Sequence, residues 1–304
     1  MLRKIWINWT KWVDWFDLEN QEIKNILNKY DVHELDLEAC LEWNQKSRID
    51  DYDNYSFIVF HFPKYNTVSK IYELNEFNIF FWKDFLLTLR DFPITNIDKI
   101  YDYYKDIKVN NLTNTIKFTP GYILYEITQV MLEKMFRVIK NISLDIKDIE
   151  KQVFEKPNSS FVKDIMIKKR NIVVLMHMFK PQIYVLRQLE NVVNKYYSDK
   201  IEVYFEDLED KMEQIVNDLN VLWEHIDTVE DAFKSIIDIR TNKIMTFLAL
   251  FSAIMLPMTF ITSFYWMNVK LPYQDNIEFV YIFLLTSLFI MMAIYFYFRR
   301  NSKI

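Results

Sequence analysis

IMTFLALFSAIMLPMTFITSFYWMNV, residues 244–269, contains no Asp, Glu, Lys, Arg or His. As an α-helix rising 1.5 Å per residue, the run spans roughly 39 Å, more than the ~30 Å hydrocarbon core of a bilayer. A second uncharged run, FVYIFLLTSLFIMMAIYFYF at 279–298, follows after the short polar loop Lys270–Glu278 and spans roughly 30 Å. Two adjacent charge-free runs of this length are rare in the core of a soluble protein. The pattern predicts a two-helix transmembrane hairpin, with helices over 244–265 and 277–298 and a loop over 266–276.

The flanking charges give the orientation. Arg240 and Lys243 precede the first span, Arg299, Arg300 and Lys303 follow the second, and the loop carries only Lys270. The positive-inside rule puts both termini in the cytoplasm, including a basic tail at 299–304, and the loop outside. The opening MLRKIWINWTK has no apolar stretch long enough for a signal peptide. About 240 residues are therefore expected to be cytosolic, in keeping with the single cysteine, Cys40.

The first span has two unlike faces at 100° per residue. Phe247, Phe251, Ile254, Met258, Ile261 and Tyr265 share one side; Met245, Ala249, Ser252, Leu256, Thr259 and Ser263 share the other. The smaller, partly hydroxylated face suits either the lining of a pore or a dry helix–helix contact, since both favour small side chains. The second span is apolar all round and reads as lipid-facing, ending in the aromatic group Tyr295–Phe298.

Upstream runs an unbroken heptad pattern through Phe205, Leu208, Met212, Ile215, Leu219, Leu222, Ile226, Val229, Phe233 and Ile236. No Pro or Gly interrupts residues 201–256. A stalk over 201–243 therefore continues into the first span as one helix, roughly 90 Å from Phe205 to Tyr265. Its apolar stripe needs neighbours, from its own chain or from copies of it. A single two-span hairpin cannot enclose a water path, so transport would require several chains.

Before the stalk, residues 122–200 read as a helical pair, Tyr122–Phe154 and Phe161–Tyr197, broken at EKPNSS and with a kink expected at Pro181. Carboxylates crowd this region and the stalk, among them Asp145, Asp148, Glu202, Glu206, Asp207 and Glu209. Such crowding fits a solvated helix face, or weak divalent-cation binding between subunits. Residues 1–121 read as an α/β domain. Strands are expected at Arg3–Ile7, Tyr55–Phe62, Lys70–Leu74, Asn78–Trp82 and Phe85–Leu89, with helices at Leu18–Tyr30, His33–Leu41 and Ile97–Tyr104. The fold class is thus α+β: a cytosolic α/β domain, a long helical stalk and a C-terminal membrane hairpin.

Composition removes most enzyme classes. The only glycine is Gly121, so no P-loop, dinucleotide-binding turn or nucleophile elbow exists. One cysteine excludes intrachain disulfides and cysteine zinc clusters, and the four histidines are far apart. Net charge of -5 and a pI near 5.5 give no footprint for nucleic acid, and no nucleotide motif is present. The chain is expected not to be an enzyme.

The first span ends in Tyr265-Trp266-Met267-Asn268. With TNKIMTFLALFSAIMLPMTFITSFY before it, this resembles the CorA family of divalent metal-ion transporters, which carries Tyr-Gly-Met-Asn at this point, an Asn and a basic residue at the start of the span (here Asn242 and Lys243) and a mid-span Pro (here Pro257). Softer, collinear similarities run through FEDLEDKMEQI, Lys180-Pro181, NEFNIFFWKDFLLTLR and SRIDDYDNYSFIVF, so the likeness covers the whole chain.

The resemblance implies a homopentameric funnel in the bacterial inner membrane. Five first spans would surround a pore for Mg²⁺, with Co²⁺ and Ni²⁺ as further cargo. It assigns the selectivity filter to Tyr265, Trp266, Met267 and Asn268, and the pore lining to Asn242, Met245, Leu248, Ser252, Leu256 and Thr259. It also places Asp207 at an intersubunit regulatory Mg²⁺ site. Two departures stand out: Trp266 replaces the signature glycine, and Leu271-Pro272-Tyr273 stands where the family often has Met-Pro-Glu. The first of these leaves a second reading, a non-conducting or altered-selectivity member such as a zinc-type transporter or a membrane-anchored sensor.

Overall fold

The computed structural model describes residues 2–7, 9–17, 19–90, 93–110, 116–155, 157–158, 160–197, 201–267 and 276–301. The chain divides into two compact units, Met1–Asp231 and Ala232–Ile304.

The first unit is built on a six-stranded sheet: β1 Leu2–Ile7, β2 Thr10–Phe16, β3 Arg48–Asp51, β4 Ser56–Asn66, β5 Ile71–Phe81 and β6 Phe85–Arg90. Their order is β1-β2-β6-β5-β4-β3. Neighbours are antiparallel except β2 and β6, which run parallel with Trp12 opposite Leu86 and Asp14 opposite Thr88. Residues 56–62 of β4 and 75–81 of β5 are buried without alternation, as expected of strands covered on both faces. On one face α1 (Asn20–Leu27) and α2 (Glu34–Glu42) supply Ile23, Leu27, Ala39 and Cys40, which pack on Val13, Phe57, Phe80 and Leu87. On the other face α3 (Thr95–Asn110) sets Tyr101 and Tyr104 against Trp12, with ring centroids 5.3 and 6.2 Å away.

Two strands lie outside the sequence expectation. β2 carries the fully buried Asp14, which breaks an apolar reading, yet its carboxylate accepts from Arg90 Nη2 at 2.8 Å, from Thr88 Oγ1 at 2.7 Å and from Arg3. Asp98 of α3 completes a charge-balanced quartet, 2.7 Å from Arg3 and 2.9 Å from Arg90. β3, with the sequence RIDD, has no apolar pattern and exists through its pairing with β4. The separate strands expected at 70–74 and 78–82 are one strand, β5. Asn66 and Lys70 make the β4–β5 turn: the Asn66 side chain accepts from the Val68 and Ser69 N–H groups, and Lys70 takes the left-handed conformation at φ 57°. The helix expected over 18–30 is α1 followed by one 3-10 turn, Asn28–Tyr30, with Leu18 outside the described residues. The helix expected over 97–104 is the longer α3.

Three long helices follow: α4 Pro120–Glu155, α5 Phe161–Tyr196 and α6 Glu202–Tyr265. Two carboxamides on α5 stitch it to the sheet. Gln182 donates to the His61 carbonyl and accepts from the His61 N–H, both at 3.1 Å. Asn171 does the same with the Lys70 carbonyl and the Tyr72 N–H, at 2.9 and 3.1 Å. Pro181 lies inside α5 without ending it; beside it the Gln182 amide also donates to the Met178 carbonyl at 2.9 Å. The heptad stripe of α6 is buried from Phe205 through Val229. Polar pairs tie its flanks to the neighbouring helices: Lys169 to Asp227 and Glu230 at 2.6 Å each, Arg187 to Glu213 at 2.7 Å and to Glu209, and His225 to Glu150 at 3.0 Å. Of the two sources of neighbours left open by the sequence, this part of the stripe uses its own chain.

The second unit holds the rest of α6 and α7, Ile277–Asn301.

Candidate functional site

The residues expected to line a path all lie on the C-terminal part of α6. Nothing in the sequence interrupts that helix except Pro257, which is accommodated inside it, although a proline leaves the carbonyl one turn back without its helical donor. Helical spacing sets Met245, Ser252, Leu256 and Thr259 on one strip, with Leu248 at its edge and Asn242 extending it downward. All six are exposed in the single chain.

On the opposite strip Phe247, Phe251 and Ile254 are exposed and Met258 and Ile261 are half-buried. The most apolar stretch of α6 is long enough to cross a membrane, and none of it is buried. Among the described residues α6 is the one helix that meets this test; α7 contributes the shorter apolar piece Ile277–Ile290. An uncovered apolar surface of this size on a water-soluble monomer would be strongly unfavourable. The span is therefore no core helix of its own chain; lipid, other copies of the helix, or both must cover it.

The hydroxyls on this segment are partly committed. Thr259 Oγ1 donates to the Met255 carbonyl at 2.8 Å, and Thr246 Oγ1 to the Asn242 carbonyl at 2.8 Å. A hydroxyl whose proton is engaged by the backbone keeps its lone pairs as acceptors, which suits the outward-pointing protons of a hydrated cation.

At the end of the span the chain leaves the helix. Trp266 N–H still donates to the Thr262 carbonyl at 3.1 Å, and Met267 N–H to the Phe264 carbonyl at 3.4 Å. Trp266 is 89% exposed and is not among the residues with positive φ. Its backbone therefore does not occupy the region that only glycine enters cheaply. Asn268, and with it most of the loop expected over 266–276, lies outside the described residues.

Asp207 sits on α6, half exposed, 2.5 Å from Lys211 one turn on. A carboxylate group that sequence spacing does not assemble stands nearby in the chain. Glu190 of α5 joins Glu202 and Glu206 of α6, with one oxygen from each within 4.8 Å of the others. Burial, then Glu206 and Glu202, hold the Glu190 carboxyl above its ordinary range. Glu202 and Glu206 are visible in the sequence as an acidic i, i+4 pair; Glu190 joins them only because α5 and α6 run side by side.

A sequence profile described as "CorA-like Mg2+ transporter protein" matches residues 9–300. The cobalt/magnesium transport protein CorA of Thermotoga maritima is 25% identical over 241 residues, covering 79% of this chain and 68% of that protein. The protein of the same name from Methanocaldococcus jannaschii is 20% identical over 303 residues, covering 99% of this chain and 92% of its own. Among solved structures, the complete CorA magnesium transporter of M. jannaschii superimposes with a TM-score of 0.82 at 20% identity, over 97% of this chain and 92% of that one. The full-length CmaX protein superimposes with a TM-score of 0.73 at 16% identity, over 93% and 88%.

Proposed function

This chain belongs to the CorA-like Mg²⁺ transporter family of divalent-cation transporters, and on that premise we propose that it acts as a homopentameric Mg²⁺ channel of the bacterial inner membrane. Both termini are cytoplasmic, Co²⁺ and Ni²⁺ are lesser cargo, and no enzymatic step is involved. The single observation carrying this reading is the wholly unburied apolar stretch of α6 that bears a strip of small and hydroxylated residues along one side.

In the assembly, five copies of residues 244–265 turn that strip inward and their phenylalanine strip toward the second spans and lipid. The path then reads from outside to inside: the filter at Asn268 with Tyr265, Met267 and the backbone of Trp266, whose indole turns away from the axis; the hydroxyl Thr259; an apolar ring at Leu256; Ser252; a second apolar ring at Leu248; then Met245 and Asn242 at the cytosolic end. Mg²⁺ sheds water reluctantly, so a filter of amide oxygens that grips the hydration shell avoids the dehydration cost and holds the ion weakly enough to release it. The leucine rings close the path by dewetting. An inside-negative potential contributes about 2.3 kcal/mol per charge per 100 mV, counted twice for a divalent ion. Regulation falls to Asp207, whose carboxylate exchanges Lys211 for Mg²⁺ at a subunit boundary and holds the closed state.

The test is uptake by the purified protein in liposomes, with Mg²⁺, Co²⁺, Ni²⁺ and Zn²⁺ compared, alongside its mass in detergent. Potential-driven Mg²⁺ entry by an oligomer, lost in Asn268→Ala while the oligomer persists, is the expected result. A monomer in detergent and bilayer, or no flux of any divalent ion, overturns the proposal.

A further inference from the structure

The charges at the cytosolic end of the first span are sorted by side. At roughly 100° per residue, Asp238 and Leu256 stand about five whole turns apart, so Asp238 lies on the strip of Met245, Ser252 and Leu256, one turn below Asn242. Arg240 and Lys243 lie roughly 140° and 160° round the helix from Met245, on the side of Phe247 and Phe251. All three charged side chains are exposed on α6.

The sorting matches two different surroundings. The anionic inner surface of a membrane attracts Arg and Lys and repels a carboxylate, so the two cations suit the outer side of the helix and Asp238 does not. Asp238 also lacks the compensation that other carboxylates of α6 find. Asp227 pairs with Lys169 and Asp207 with Lys211, and Asp231 and Lys234, the next charges down the same strip, each have a partner. Asp238 has no hydrogen-bond or ion-pair partner among the described residues.

Its neighbours on the strip offer oxygen. Thr241 Oγ1 donates to the Ile237 carbonyl at 2.9 Å and keeps its lone pairs as acceptors; the Asn242 side chain adds an amide oxygen. Carboxylate, hydroxyl and amide oxygens within one turn are the donors a hard cation takes, and Mg²⁺ held through its own waters needs only one or two carboxylates. Five copies of Asp238 brought toward one axis repel one another, and a divalent cation among them removes that repulsion.

Resting on the pentameric channel proposed above, we propose that Asp238 forms a carboxylate ring at the cytosolic mouth, below Asn242, which holds the hydrated divalent cation after it clears the Leu248 ring and favours divalent over monovalent ions. Charge, not packing, is what this ring contributes, so its effect weakens as salt shortens the Debye length from about 30 Å at 0.01 M to about 3 Å at 1 M.

The experiment compares Mg²⁺ uptake into liposomes by the parent, Asp238→Asn and Asp238→Glu in about 0.01 M and about 1 M choline chloride. Asp238→Asn should lower uptake by about fivefold at low salt and by less than about twofold at high salt, with an unchanged unfolding temperature, and Asp238→Glu should stay within about twofold of the parent at both. Position is read separately by oxidative cross-linking in the membrane. Cys40 is buried, so Asp238→Cys and Lys243→Cys each add one accessible thiol; the first should link neighbouring subunits and the second should not. A parent that conducts, and loses uptake in Asn268→Ala, yet is matched by Asp238→Asn at both salt levels leaves the channel standing and overturns the carboxylate ring. So does cross-linking of Lys243→Cys in preference to Asp238→Cys. A parent with no divalent flux overturns the channel and the ring together.

Discussion

Ile215 and Leu256 are apolar residues of one helix, yet Ile215 is fully buried and Leu256 is 68% exposed. The difference lies in what each part of α6 finds around it. Around Ile215 the stripe is buried within its own chain, and polar pairs tie its flanks to α5 (Lys169–Asp227, Arg187–Glu213) and to α4 (His225–Glu150). Around Leu256 the chain offers no such cover. Apolar surface is equally unfavourable in water at both places, so the N-terminal part of α6 folds within its own chain and the C-terminal part requires a second solvent or further copies. Folding of the N-terminal part of α6 and covering of its apolar span are thus separable in energy, although the helix is continuous.

The sharpest way to break that contrast is to place a charge on its buried side. Ile215→Asp buries an unpaired carboxylate and should lower stability by about 4 kcal/mol or more, read as the loss of the cooperative unfolding transition in circular dichroism of the full-length protein. If that variant unfolds like the parent, the stripe does not brace the helices. Asp14→Ala tests the sheet in the same terms. It removes the carboxylate that the fully buried Arg90 and the half-buried Arg3 share, at a cost of roughly 3 kcal/mol. A shift no larger than that of a surface substitution would show the quartet to be dispensable.

On the exposed side the expected change moves from stability to flux. Leu256→Ala removes side chain that touches little in its own chain, so the unfolding midpoint should shift by less than about 2 °C. Mg²⁺ entry into liposomes should rise several-fold as the apolar ring widens. The opposite outcome, a large loss of stability with unchanged flux, would make this strip a packing surface and not a lining.

Much of this contrast is legible in the amino-acid order. A helix declares itself by period, and both the heptads from Phe205 and the charge-free run from Ile244 are long enough for the period to dominate local noise. The family resemblance turns the small strip from an ambiguous face into a candidate lining. β2 is not legible, because its Asp14 is tolerable only beside Arg90 and Arg3, which are distant in sequence. β3 is defined by its partner strand, and Glu190 meets Glu202 and Glu206 only through the α5–α6 hairpin. What sequence withholds here is the partner that makes a polar residue tolerable in the fold.

Asp36 illustrates a partner that only partly compensates. It is fully buried on α2 and accepts from Tyr55 Oη at 2.7 Å and Tyr52 Oη at 3.3 Å. Burial still wins, and its carboxyl is held above the ordinary range. A raised carboxyl pKa means that the folded state binds the proton more tightly than the unfolded chain does. The associated stability is therefore fully present below the unfolded pKa and is lost as pH rises through the folded one. Asp36→Asn should remove this contribution, leaving a flatter dependence of unfolding free energy on pH above about 4; an unchanged slope in denaturant titrations at several pH values would refute it.

Trp266→Gly should have the smallest effect, and it decides whether the departure from the family signature matters. Glycine is needed where a backbone enters the left-handed region or a neighbour approaches too closely for a side chain. Trp266 meets neither condition in this chain: its φ is not positive, its N–H keeps a helical bond to Thr262, and its indole is almost wholly exposed. At the end of a membrane span an exposed indole has a natural place in the interfacial belt, away from the axis. Restoring glycine should then leave Mg²⁺ flux within about twofold of the parent, since surface changes cost at most about 0.5 kcal/mol. A large rise in Mg²⁺ flux would place the indole in the mouth of the path. A change in the order of Mg²⁺, Co²⁺, Ni²⁺ and Zn²⁺ uptake would make Trp266 part of the selectivity itself.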